Sequence, residues 1–305
     1  MFQIIADGLI IGSVVALGAI GLSLTLSILR FSNFSHGELL AWGAYLAFMA
    51  ASGLTAFNDS LSLPILPFSF GWGLIIALLV AVVLTALLAL ALDAILFKRL
   101  RKQGSITLVI AGFGAALVLR NLLLFWQGGA PKYFSQNLQI AIPILPRSHW
   151  GGLRFTPDQI LVLALTLAIV AGLHWFLQYS VLGRSMRATA INPALSQLTG
   201  IDPERIVRAT WMIGGALAAL AGVFAGIMVQ LRPTMGVDLL LPLFAAVILG
   251  GIGSIWGAVF GGLLVGLAES VSVSLLGAEY RTAAAFIVLI LVLMVKPNGL
   301  FGERP

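Results

Sequence analysis

Long apolar runs alternate with short polar stretches along the whole chain. The runs predict membrane spans at Ile4–Leu29, Leu39–Phe57, Gly71–Phe97, Ile106–Trp126, Asp158–Leu182, Ile206–Leu231, a bipartite region Leu239–Leu276, and Thr282–Val295. A helix needs about 20 apolar residues to cross a bilayer core, whereas a barrel strand needs about 10 residues of alternating polarity. Because these runs are long and do not alternate, they predict an all-α integral membrane protein, a polytopic bundle of about eight or nine transmembrane helices.

A glycine-rich stretch interrupts the bipartite region. The sequence LGGIGSIWGA occupies residues 249–258. It predicts either one long broken helix or two short helices. In transporters, broken helices expose backbone groups near substrate. Gly250, Gly251, Gly253 and Ser254 are therefore candidate pathway residues.

Composition and charge support the membrane assignment. The chain of 305 residues is 60% hydrophobic and only 9% charged, whereas soluble domains are about 25% charged. The net charge of +6 comes from basic residues clustered in short loops near residues 98–102 and 184–208 and at the C-terminus. These clusters predict cytoplasmic loops, with the N-terminus outside if nine segments cross, rather than a nucleic-acid surface. Residues 1–305 form one transmembrane domain with no soluble domain, and we expect a multi-pass protein in contact with membrane lipid.

The chemistry of an enzyme is missing from the pattern. The chain has no cysteine and three histidines, and it contains no HExxH, GxSxG or P-loop motif. We therefore expect no catalytic residue, metal or cofactor in this chain, and any ATP must be hydrolysed by another polypeptide. A stand-alone secondary transporter or channel is the competing class. Its ion coupling would depend on few buried carboxylates, chiefly Glu269, which is costly within an apolar run unless it is paired or hydrated. For Glu269 we favour a role in helix packing or in the pathway over substrate chemistry.

The polar stretch of residues 184–205 is too polar to cross the membrane. Asn192 followed by Pro193 predicts a helix N-cap, Gly200 predicts the end of that short helix, and Asp202 starts the next helix. The short helix carries Ala194, Leu195 and Leu198 on one side. Two interpretations remain open: the helix rests on lipid headgroups, or it sits in a cleft of a partner protein.

The stretch NFSHGEL, residues 33–39, places polar residues between two apolar runs. Asn33 or Ser35 is a candidate cap of the second helix, with Glu38 in its first turn. Alternatively, Asn33, His36, Gly37 and Glu38 line or brace an inner gate, because polar residues at membrane depth usually face a cavity or a partner. The two roles are compatible.

Four segments, taken together, resemble a known family. They are ILRFSNFSHGELLAWGAYLAF at 28–48, RATAINPALSQLTGI at 187–201, FAAVILGGIGSIWGAVFGGLLVGLAES at 244–270 and KPNGLFG at 296–302. In this order and spacing they resemble the branched-chain amino acid permeases of ABC importers, in particular the LivH-type subunit. The resemblance covers nearly the whole chain and is weakest at residues 127–157.

The resemblance implies a transport machine in the bacterial inner membrane. Such permeases pair with a second, homologous permease subunit. They dock on two ATP-binding cassette subunits, which hold ATP and magnesium, and they receive substrate from a periplasmic binding protein. Residues 127–157 would then be a periplasmic loop, and residues 183–205 the cytoplasmic coupling loop. Contact with the ATPase is implied for Arg187, Ala188, Ala190, Asn192, Pro193, Leu198, Gly200 and Ile201. The implied substrates are leucine, isoleucine and valine, while near relatives carry urea, short amides or other amino acids.

Overall fold

The structure is a computed structural model, and it describes residues 1–135, 139, 141–145, 152–296 and 299–302. The α-helices within these ranges are α1 Phe2–Leu29, α2 Ser35–Phe57, α3 Trp72–Leu92, α4 Lys98–Leu100, α5 Ser105–Gln127, α6 Pro157–Tyr179, α7 Val181–Ile191, α8 Pro193–Leu198, α9 Pro203–Met228, α10 Met235–Gly250, α11 Ile255–Leu275 and α12 Arg281–Val295. A π-helical turn, Asp93–Phe97, joins α3 to α4, and short 3₁₀ turns occupy Asp59–Ser62, Arg101–Gln103 and Ala278–Tyr280. Strands β1 Ile142–Leu145 and β2 Leu153–Phe155 form an antiparallel hairpin.

The helices confirm the polytopic bundle expected from the apolar runs. Within the described ranges, eight helical segments are long and apolar enough to cross a membrane, and α10 is a shorter apolar helix. The glycine-rich interruption separates two helices, because α10 ends at Gly250 and α11 begins at Ile255. The β1–β2 hairpin was not predicted. It lies in the 127–157 stretch, of which residues 136–138, 140 and 146–151 fall outside the described residues.

Basic residues collect at one end of the bundle, which we call the basic end. Glu204, at the start of α9, accepts from Lys98 and from Arg101, each at 3.2 Å. Arg101 also pairs with the buried carboxylate of Asp93. The helices α7 and α8 lie at this end, between the last residue of α6 and the first of α9. By the positive-inside rule, the basic end is the predicted cytoplasmic end.

The centre of the bundle is α1, which packs against α11 through small residues. A Cβ at Gly266 would lie 2.3 Å from the Cα of Gly12, and a Cβ at Gly262 would lie 2.5 Å from the Cα of Ala16. The two backbones are therefore almost in contact. Lipid is as apolar as a leucine side chain, so close backbone packing of this kind is what holds membrane helices together.

The start of α2 lies inside the bundle rather than at its surface. The backbone nitrogen of Phe34 lies close to Gly112 on α5. It is 3.5 Å from the position that a Cβ on residue 112 would occupy. Gly112 is seven residues into α5, so α2 begins about 10 Å along α5 from the basic end. The start of α10 packs against the same turn, because a Cβ at Gly236 would be 2.6 Å from the carbonyl oxygen of Gly37. Two helix N-termini thus meet within the bundle.

Candidate functional site

The predicted coupling segment has the local structure that its sequence indicates. The Asn192 side chain accepts a hydrogen bond from the Leu195 backbone at 3.0 Å, and Pro193 takes the first helical position of α8. Gly200 ends the turn with a positive φ of 85°, a conformation that costs glycine little. Asp202 caps α9 by accepting from the backbone of Glu204 at 2.9 Å. The segment is therefore a well-defined pair of short helices.

Apolar side chains of this segment point away from the bundle. Ile191, Leu195 and Leu198 are 80%, 58% and 85% exposed. Of the residues expected to contact the ATPase, Arg187, Ala188, Asn192, Leu198 and Gly200 are exposed, while Ala190, Pro193 and Ile201 are half-buried. Arg187 turns back toward α6 and donates to the side chain and carbonyl of Gln178. The apolar tip of α8 is thus the part most available to a partner.

Arg30, which the sequence analysis did not select, connects α1 to this segment. Its guanidinium lies 3.5 Å from the carbonyl oxygens of Ala190 and Ile191. Arg30 itself adopts a left-handed conformation with φ 55° at the end of α1, which is uncommon for a residue other than glycine. The end of the central helix is therefore in contact with the residues that lead into α8.

The predicted gate residues are buried in a helix junction. Asn33 and His36 are both 0% exposed, and Glu38 is 1% exposed. The N-cap position of α2 is Phe34, so the prediction of Asn33 or Ser35 as the cap is wrong, but the Asn33 side chain accepts from the backbone of Ser35 at 3.1 Å. The Nε2 atom of His36 lies 3.1 Å from the carbonyl oxygen of Gly18 on α1. These contacts agree with a bracing role, and the gating role stays a prediction.

Glu38 lacks the partners that its neighbours have. Neither of its carboxylate oxygens has a hydrogen-bond partner among the described residues, although both are buried. Arg120 and Asp238 are close enough to interact with Glu38 electrostatically. A carboxylate in this position is expensive unless a charge or water compensates it. Glu38 therefore keeps its place among the candidate pathway residues.

The glycine-rich break lies against the C-terminal tail of the chain. The carbonyl of Leu249 accepts from Leu300 at 2.8 Å, and that of Gly250 accepts from Phe301 at 3.0 Å. A Cβ at Gly251 would come within 2.5 Å of the nitrogen of Gly302. The Gly253 nitrogen donates to the Ser23 side chain at 3.0 Å.

These contacts limit what the break can offer a substrate. The Ser254 side chain caps α11 by accepting from the backbone of Gly257. The carbonyls at the end of α10 are therefore occupied by the tail, while Gly253 is exposed and Ser254 is half-buried. A substrate contact at Gly250 or Gly251 would require the tail to move, and a substrate role for Gly250, Gly251, Gly253 or Ser254 remains a prediction.

Glu269 is paired, as its apolar surroundings require. It is 0% exposed on α11, and Arg281 at the start of α12 donates to one of its carboxylate oxygens at 2.5 Å. The other oxygen has no partner among the described residues. The pair fixes α12 to α11, consistent with the packing role considered from the sequence.

A cavity of about 530 Å³ lies at the end of the bundle opposite the basic end. Its lining comes from α1, the start of α6, the end of α9, and α10, α11 and α12: Ile4, Asp7, Ile10, Ile11, Val14, Val15, Gln159, Ala225, Met228, Val229, Gln230, Arg232, Met235, Asp238, Leu239, Ser270, Val273, Ser274, Ala278 and Arg281. None of the predicted site residues lines it. The charged residues themselves are visible in the sequence, since Asp7 interrupts the first apolar run and Arg232 and Asp238 lie near the start of α10. Nothing in the sequence indicates that they lie close together in the fold.

Among the residues that the structure describes, no three His, Cys, Asp or Glu side chains come together in a way that could hold a metal ion. The described residues form a helix bundle with a cavity at one end, an exposed apolar surface at the other, and a buried polar junction between them. These are the features of a multi-pass membrane permease.

The chain belongs to the family described as branched-chain amino acid transport system / permease component, which it matches over residues 4–295. It is 33% identical to the high-affinity branched-chain amino acid transport system permease protein BraD of Pseudomonas aeruginosa, covering 99% of this chain and 95% of that one. It is 31% identical to LivH of Escherichia coli over 97% of this chain and 94% of that one. A probable LivH of Methanocaldococcus jannaschii is 28% identical over 98% and 92% of the two chains.

Proposed function

We propose that this chain is the membrane-spanning subunit of an ABC importer that carries leucine, isoleucine and valine across the bacterial inner membrane. Family membership supports the transport role, and the names of BraD and LivH support the substrate class. The basic end then faces the cytoplasm. The chain binds no cofactor and catalyses no reaction, and ATP with magnesium is held by two separate ATPase subunits.

One observation carries the coupling part of this proposal. The helices α7 and α8 lie between the long spans α6 and α9, and they expose Ile191, Leu195 and Leu198 at the surface of the bundle. A soluble ATPase with an apolar cleft would bury these side chains, as other helix-in-groove complexes do. Arg30 then connects the docked segment to α1, and α1 packs directly on α11. ATP-driven movement of the ATPases thereby reaches the centre of the bundle.

The remaining partners follow from the same assignment. A second, homologous permease subunit completes the passage, and a periplasmic substrate-binding protein delivers the amino acid to the end that carries the cavity. The 127–157 stretch faces that binding protein. Its described part includes the β1–β2 hairpin, which is attached to α1 because the Arg154 backbone donates to Gln3 at 2.9 Å.

Reconstitution of the complete transporter tests the proposal. Proteoliposomes containing both permease subunits and both ATPases should take up radiolabelled leucine only when ATP and the leucine-loaded binding protein are supplied. Urea and short amides serve as alternative substrates. Uptake by this chain alone, driven by an ion gradient, would instead identify a secondary transporter.

A further inference from the structure

The cavity opposite the basic end contains charges of both signs within a chain that has few charges. Asp7, Arg232, Asp238 and Arg281 line it, although only 9% of all residues are charged. Charged residues in membrane segments are costly and usually mark a pathway or a binding site. The cavity volume lies in the range of about 300–1,000 Å³ that is typical of small-molecule sites.

The four charged side chains differ in the ion pairs and hydrogen bonds that they form with other residues of the chain. Arg281 is paired with the buried Glu269, and Asp7 accepts a hydrogen bond from Gln3 at 2.9 Å. Among the described residues, Asp238 has one recorded hydrogen bond, a long contact of 3.4 Å with the Thr234 hydroxyl, and it lies close enough to Glu38 to interact with it electrostatically. Arg232 takes part in no ion pair recorded among the described residues. Asp238 and Arg232 are therefore the anion and the cation most available to a ligand.

Apolar side chains form much of the rest of the wall, together with Gln159, Gln230, Ser270 and Ser274. On α1 the lining extends from Ile4 to Val15, eleven residues or about 16 Å of helix, which gives the cavity depth. Ile10 and Val14 belong to this wall, and Leu239 faces it from α10. A cavity with this lining provides an anion, a cation and an aliphatic surface together.

We propose that this cavity is a binding site for a zwitterionic α-amino acid with an aliphatic side chain, held during passage through the permease. The Asp238 carboxylate pairs with the ammonium group, the Arg232 guanidinium binds the carboxylate, and the α1 wall contacts the side chain. A zwitterion can leave water only if both of its charges are compensated, and a planar guanidinium suits a carboxylate. The inference rests on the proposed function and assigns the transport substrate to a particular site in this chain.

A first test uses the absence of cysteine from the chain. A single Ser274→Cys variant places a thiol in the cavity wall, and Ser52→Cys places one at an exposed position of α2 that is not part of the wall. The purified complex is labelled with a polar maleimide, with and without leucine, in the absence of the binding protein. Leucine should slow labelling at residue 274 and leave residue 52 unchanged. Equal labelling at residue 274 with and without leucine would overturn the proposal.

A second test removes the charges. Asp238→Asn and Arg232→Gln should each lower leucine uptake by about tenfold or more, because each removes one of the two charges that compensate the zwitterion in the proposed site. The binding protein should still stimulate ATP hydrolysis, because neither substitution changes the predicted coupling segment. The matched controls, Glu279→Gln and Arg99→Gln, remove exposed charges that do not line the cavity, and they should transport normally.

The two tests separate the site from the function. If the wild-type transporter carries leucine but both charge variants carry it equally well, the site is refuted and the function stands. If the wild-type transporter carries no branched-chain amino acid, the proposed function fails first. If a charge variant does not assemble, leucine protection at residue 274 still decides the question in the otherwise unchanged protein.

Discussion

The contact between α1 and α11 predicts that one added methyl group will force the two helices apart. In Gly266→Ala, the new Cβ would lie 2.3 Å from both the Cα and the nitrogen of Gly12. Carbon atoms at their preferred separation are about 3.5–4.0 Å apart, so the helices must separate by roughly 1 Å. Because the obstructing atoms are helix backbone, no side-chain rotation relieves the clash.

The size of the effect follows from two opposing contributions. Overpacking a close interface costs about 1–3 kcal/mol, whereas replacing glycine by alanine within a helix gains up to about 1 kcal/mol. Gly53→Ala on α2 is the matched control, because a Cβ there has no atom within 4 Å. Both variants share the gain, so the difference between them isolates the steric cost of about 1–3 kcal/mol.

The measurement is thermal unfolding of the purified transporter in one detergent, with the folded fraction read by size-exclusion chromatography. Gly53→Ala should unfold at the wild-type temperature or above it, and Gly266→Ala should unfold at a lower temperature than Gly53→Ala. If Gly266→Ala unfolds at or above the temperature of Gly53→Ala, the close approach of α1 and α11 does not resist an added methyl group and the packing argument is wrong.

Four further variants test other parts of the molecule. Gly200→Pro removes the backbone donor to Gln197 and forces φ away from 85°, a strain of about 1–3 kcal/mol, so ATP hydrolysis should continue while leucine uptake falls. Arg281→Gln leaves the buried Glu269 carboxylate unpaired and should destabilise the transporter by about 3–5 kcal/mol in chemical unfolding. His36→Ala and Glu38→Gln should each lower uptake without preventing membrane insertion, as measured by transport and by membrane fractionation.

Each of these predictions has a control. Gly200→Asn should keep coupling, because asparagine tolerates the left-handed conformation; loss of coupling with asparagine too would show that the turn geometry is not what matters. The double variant of Glu269 and Arg281, both to glutamine, should be more stable than Arg281→Gln alone. His174→Ala removes a histidine outside the α2 junction and should transport normally, and normal uptake by both His36→Ala and Glu38→Gln would remove their gate role.

Hydropathy located the spans because burial in lipid requires length and apolarity, and both can be read along the chain. The cap at Asn192–Pro193 and the end of α8 at Gly200 could also be predicted from the sequence, because caps and turns depend on neighbouring residues alone. The partner of Asp93 could not be predicted in the same way, because the π-helical turn after α3 changes the helical phase and brings Arg101 to the Asp93 carboxylate.

The depth at which a helix begins is not encoded in hydropathy. The apolar run after Glu38 looks like any other span, yet α2 starts inside the bundle because Gly37 allows Gly236 to approach its carbonyl oxygen. The cavity was missed for a related reason. Its lining combines α1 with residues more than 200 positions later in the chain, such as Asp238, and only tertiary packing joins them.

The short helix α10 connects the features that the function requires. Near its start, Asp238 lines the cavity, and Gly236 packs on the α2 turn that holds Glu38. At its other end, the carbonyls of α10 bind the C-terminal tail at the basic end. A shift of α10 along its axis would therefore change the cavity, the buried junction and the tail contact together. Since α1 packs on α10 and also contacts the predicted coupling segment through Arg30, movement at the proposed ATPase contact would have a continuous packed route to the cavity. A helix too short to qualify as a full span is thus the element on which all three regions converge.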